Sequence, residues 1–92
     1  MNKDVQLFSE LLDEMKEVYA RKNHDYGNSF DESLDEDGLL VAKIRLGDKY
    51  KRFSQLIKGE QKVSDESIED TLLDMANYAA MTLKWIREKK NS

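Results

Sequence analysis

Asp70, Asp74 and Asn77 recur four and three residues apart in the most apolar stretch of a 92-residue chain, a spacing that stacks side chains along one face of a helix. At about 100° per residue, Glu66, Asp70, Asp74 and Asn77 fall within an arc of roughly 80°, and the same azimuth continues into Met81 and Trp85. Ile68, Leu72, Met75, Ala76, Ala79, Leu83 and Ile86 fill the opposite side, and no charge intervenes between Asp74 and Lys84. A helix of that pattern is expected to be covered on both sides. Burying an unpaired carboxylate costs several kcal/mol, so the stripe requires a metal, a bound cation, a hydrogen-bond donor, or a Lys or Arg from a neighbouring helix. The residues alone leave these partners open.

A basic counterpart lies upstream. Arg45, Asp48, Lys49 and Arg52 share an arc of about 100° beside the apolar face of Leu46, Tyr50, Phe53 and Ile57. Between positions 43 and 52, Lys43, Arg45, Lys49, Lys51 and Arg52 stand against Asp48 alone, whereas most of the acid lies before position 38. The whole chain has a formal net charge of -4 and a pI near 5.0. That balance argues against binding a nucleic-acid duplex, whose backbone is held by clustered Lys and Arg. A local basic strip on an acidic protein suits a small anion, and Arg can grip two phosphate oxygens at once. A solvated charged face is the plainer alternative.

His24 is the only histidine and there is no cysteine, so neither a histidine-rich metal site nor a cysteine zinc site can be assembled. Ser29, His24 and Asp25 are neighbours on a short segment without a nucleophile elbow, which does not make a catalytic triad. His24 reads as a hydrogen-bonding residue of the connection, with ligand contact as its second role. Tyr26 and Tyr78 could stack on a base and Asn28 could read its edge, although core packing with a bonded hydroxyl serves the tyrosines equally well.

Three helices must position these groups. The first spans residues 3 to 22, with Phe8, Leu11, Leu12, Met15, Val18 and Tyr19 at helical spacing and Glu10, Asp13, Glu14 and Glu17 largely on the other face. The second spans 39 to 58 and ends at Gly59, a candidate C-cap. Gly47 in its middle costs about 1 kcal/mol relative to Ala, which the close approach of another helix would explain. The third runs from Ser64 or Asp65, either of which could cap it, to position 89. Between the first two, residues 23 to 38 read as a connection, with a loop or short helical turn over Asp31 to Asp37. A connection of that length in so small a domain is often functional.

The fold expected is therefore a single all-α, three-helix domain over residues 1 to 92. Alone it would hide only about 60 to 65% of its unfolded surface, and with no proline or cysteine it is best stabilised by self-association into a helical oligomer through helix 65 to 89. Charge interrupts the N-terminus every few residues, so no signal or membrane span is expected, and the chain reads as soluble and cytoplasmic.

Lys22-Asn23-His24-Asp25-Tyr26-Gly27, then Lys43-Ile44-Arg45-Leu46-Gly47-Asp48-Lys49, then the run from Glu66 through Asp70 and Asp74 to Asn77 and Tyr78 together resemble the nucleotide modification-associated domain of phages and Gram-positive bacteria. The resemblance covers almost the whole chain. A more distant likeness is to the all-α NTP pyrophosphatases of the MazG type, which hold Mg²⁺ with Glu-x-x-Glu on one helix and Glu-x-x-Asp on the next. Here Arg45 stands where the first Glu would lie, with Asp48 at the second, and Asp70, Asp74 and Asn77 replace the Glu-x-x-Asp. An Arg at a ligand position repels the ion, which needs near-octahedral oxygen ligation.

The resemblance thus implies a binder that needs no cofactor. It would take a nucleotide or nucleotide-derived signal through Lys22, His24, Tyr26, Asn28, Arg45, Lys49, Arg52, Asp70, Asp74, Asn77 and Tyr78, in the manner of a phage protein that sequesters an antiviral signal. The alternatives are a Mg²⁺-dependent pyrophosphohydrolase with Asp48, Asp70 and Asp74 on the metal, and a protein-interaction subunit of a DNA-modification pathway.

Overall fold

The computed structural model describes residues 2–59 and 65–91, without the side chains of Tyr26, Asp65 and Glu66. Four helices follow one another: α1 Lys3–Tyr26, α2 Ser29–Asp37, α3 Leu39–Lys58 and α4 Asp65–Lys90. The all-α class and the three long helices are as expected. Two boundaries and one element differ.

α1 runs four residues beyond the expected end. Its start is fixed by Asn2, whose side-chain oxygen accepts from the Val5 amide at 2.8 Å, satisfying an otherwise orphaned donor. It stops only at Gly27, where φ is 67° and the amide bonds back to the Asn23 carbonyl at 2.8 Å. Asn23, His24 and Asp25 have weak helix propensity, but nothing in them forbids one more turn. Glycine is the first residue at which left-handed backbone comes without strain.

The connection contains a helix, α2. Phe30 and Leu34 are four apart, and Leu34 is only 1% exposed, the most buried large side chain described. A nine-residue helix is marginal by itself, so its order comes from neighbours. Asp31 accepts from Lys84 at 3.2 Å, while Asp35 accepts from the Trp85 indole at 2.9 Å and pairs with Lys89 at 2.8 Å. The acids that look like loop residues in sequence are the i, i+4 pair by which α2 holds α4. Lys89 and the Trp85 indole keep Asp35 below the usual carboxylate range, and Glu88 and Asp31 raise Lys84 above its ordinary value despite some desolvation.

α3 and α4 form the main pair. Lys49 of α3 meets Asp74 of α4 at 3.3 Å. Gly59 ends α3 as expected, its amide bonding the Gln55 carbonyl at 2.8 Å, and Ser64 as a cap lies outside the described residues. The core is thin: among the described residues Leu34 and Ala42 are the buried apolar side chains, and Thr71 is also buried, its hydroxyl donating to the Ser67 carbonyl at 2.8 Å.

The close approach expected at Gly47 does not occur within the chain, because a Cβ built there meets nothing within 4 Å. Its φ is not in the left-handed region either. Gly47→Ala should therefore raise the stability of dilute protein by about 0.5 to 1 kcal/mol, the mid-helix cost of glycine. A thermal melt that shows Ala at 47 lowering the transition would refute this.

Candidate functional site

The last turns of α1, the Gly27 turn, the first turn of α2 and the middle of α4 enclose a cleft of about 350 Å³. That is the lower end of the range for small-molecule sites. Gly27 makes it possible: the reversal there carries Ser29 and Phe30 across α4, where the Phe30 ring meets Tyr78 edge-on, centroids 5.0 Å apart at 67°. Tyr19 and Met81 complete an apolar wall, and Asn23, Ser29 and Asn77 add polar groups. A smaller groove of about 230 Å³ between α1 and α4, lined by Leu12, Met15 and Ala80, shares Tyr19, Asn77 and Met81 with the cleft.

Asp74 is the electrostatic centre. Lys22 donates to one of its oxygens at 3.0 Å and Lys49 to the other at 3.3 Å, so one carboxylate bridges α1 and α3 through two ammonium groups. Partial burial pushes the Asp74 carboxyl up, but the hydrogen bonds and charges of Lys22 and Lys49 outweigh it and hold the group below its ordinary value of 3.8. Two cations on one anion give this bridge a net positive charge, with Lys22 and Asp74 on the cleft wall and Lys49 outside its lining. One turn on, the Asn77 amide donates to the Met15 carbonyl at 3.3 Å and pins α1 to α4.

Of the residues expected at a site, the structure brings Lys22, Asp74, Asn77 and Tyr78 to the cleft wall, with Lys49 reaching Asp74 from α3. The polar stripe is not covered throughout: Asp70 is exposed and does not line the cleft, because α1 crosses α4 beyond it. Arg45 and Arg52 share a flank of α3 with Lys49 but are exposed and do not line the cleft either. His24 points to solvent and bonds Asp25 at 3.3 Å. Asn28 sits at the N-cap of α2 with its side chain making no cap bond, and the Tyr26 side chain lies outside the described residues. Tyr19, Asn23, Ser29, Phe30 and Met81 were missed by sequence reasoning. Two of them carried a signal: Met81 continues the azimuth of Asp74 and Asn77, and Phe30 is four residues from Leu34.

The residues do not fit a divalent metal. Asp48 and Asp70 are exposed and Asp74 is occupied by two ammonium groups. Among the described residues no group of three His, Asp or Glu converges, whereas Mg²⁺ bound by protein usually has carboxylates aimed at one point. Nor is any described helix long and apolar enough to cross a membrane.

A family model described as nucleotide modification associated domain 1 matches residues 22–85. The match begins at Lys22 and takes in all of α2 and α3 and most of α4, so the whole Lys22–Asp74–Lys49 bridge falls within it, while the greater part of α1 does not. Comparison with curated proteins and with solved structures finds no match.

Proposed function

The chain belongs to the nucleotide modification associated domain 1 family, and from that premise we propose that it binds a nucleotide or a nucleotide-derived signalling molecule in the cleft between α1, α2 and α4. The observation that carries this reading is the pair of ammonium groups, Lys22 and Lys49, on one half-buried carboxylate beside aromatic rings. Phosphate oxygens accept from Lys22 and Lys49, as ammonium groups bind phosphate by point charge. Asp74 holds the two cations at the right spacing and, once phosphate shares them, can accept from a ribose hydroxyl. Tyr19, Phe30 and Tyr78 supply the surface against which a base lies, with Asn23 and Ser29 in reach of its polar edge.

In this reading the molecule is held and released unchanged. A phage-encoded protein that holds such a molecule withdraws it from a host defence pathway, and cytoplasmic sequestration by a self-associated chain is the role this reading assigns. The test is mass spectrometric. The protein is incubated with nucleoside phosphates, cyclic nucleotides and ADP-ribose derivatives, separated from unbound compound, and denatured. One compound released unchanged is the expected result. A released cleavage product would make the protein a hydrolase, and retention of nothing would end the reading.

A further inference from the structure

Two apolar faces are left uncovered by the cleft and the chain's own core. On α4, Leu72, Ala76, Ala79 and Leu83 form one line at helical spacing, with Leu72 and Leu83 43% and 47% exposed. The line stands on the flank of α4 away from Asp74. On α3, Leu39, Tyr50 and Ile57 stand about 90° round the helix from Lys49 and are likewise exposed. α1 adds Val5, Leu7, Phe8, Leu11 and Leu12, all exposed, in the turns that precede its bond to α4 at Met15.

Area identifies the occupant. The accessible surface is 7332 Å², against about 5,500 Å² for a compact monomer of this mass. The radius of gyration, 15.1 Å, likewise exceeds the roughly 12 Å of a compact chain this long. An excess of about 1,800 Å² on each of two chains falls within the 2,000 to 5,000 Å² buried by obligate homodimers. Charge then orients the two copies. The N-terminal half of α1 carries Asp4, Glu10, Asp13 and Glu14 against Lys3 alone, whereas α3 carries Lys43, Arg45, Lys49, Lys51, Arg52 and Lys58 against Asp48 alone. Placing α3 on α3 would set like charges together, and placing α1 on α3 sets them opposite.

We propose that two copies of this chain form a twofold dimer in which the Leu72 to Leu83 line of α4 meets its counterpart and the N-terminal half of each α1 lies along α3 of the other copy. This gives the self-association in the preceding reading its surface, and it stands whether or not any nucleotide binds. Sedimentation across a concentration series tests it. The parent should be a dimer at micromolar concentration, and Phe8→Glu and Leu83→Glu should each weaken it at least about 100-fold, the effect of losing a central apolar anchor. Both side chains are half-exposed in the single chain, so circular dichroism should remain helical in either variant. Glu14→Lys should weaken the dimer roughly tenfold, and adding Lys51→Glu should restore it. A parent that stays monomeric overturns the proposal, as does a dimer that Phe8→Glu or Leu83→Glu leaves at full strength. Failure of Lys51→Glu to restore the Glu14→Lys dimer overturns the placement of α1 on α3.

Discussion

Asp74→Ala is expected to lower the melting temperature by roughly 5 to 15 °C. Two bonds to charged groups are lost, each worth about 1.5 to 3 kcal/mol when fully buried. Asp74 and Lys22 are partly in solvent, and screening reduces the sum to about 1 to 2 kcal/mol. The loss should be local, because Lys22 is one of the few side chains that tie α1 to the rest of the molecule. Hydrogen exchange should accelerate over Met15 to Lys22 more than over α3. Acid should imitate the substitution. The Asp74 carboxyl is held below its ordinary value of 3.8 in the folded chain, so the unfolded state takes up the proton first as pH falls. The stabilisation is complete well above that ordinary value and is lost as pH drops from about 4 through the depressed folded value. If Asp74→Ala melts as the parent does at neutral pH, and the acid limb of the parent is no steeper than that of the variant, the carboxylate does not tie α1 down.

Lys49→Ala should weaken binding of an anionic nucleotide by about 1.5 to 3 kcal/mol, or roughly 10- to 150-fold. Arg45→Ala should stay within about threefold, the modest effect of an exposed charge outside the contact. The contrast comes from placement. The two residues are four apart on α3 and neither lines the cleft, but Lys49 is half-buried and bonds Asp74 on its wall, whereas Arg45 is exposed. Calorimetry with the compound retained in the mass-spectrometric assay reads both values. Equal losses would move the phosphate site outward onto the α3 surface, and a larger loss for Arg45→Ala would reverse the assignment.

Much of this was legible in the residues. The 3.6-residue periodicity of Phe8 to Tyr19, of Leu46 to Ile57 and of Ile68 to Ile86 specifies three long helices, because a stripe at that spacing can be buried only by a helix. Gly59 was legible as the end of α3, whereas Gly27 ends α1 four residues beyond the end that the sequence led one to expect. The four-residue spacing of Asp70 and Asp74 on one face, and the motif blocks from Lys22 to Tyr78, pointed to the family and to Asp74 as a residue requiring a partner.

Tertiary structure decided the rest. α2 is short and acidic, and its own sequence cannot pay the entropy of ordering it. Leu34 in the core, with Lys84, Trp85 and Lys89 on Asp31 and Asp35, supplies what propensity does not. Which cation reaches Asp74 was equally closed to sequence, since Lys22 lies 52 residues away and Lys49 lies 25 away. Helical spacing shows which residues share a face, but only the crossing of α1 over α4 decides which part of that face is roofed. That crossing leaves Asp70 in water and puts Asp74 between two lysines.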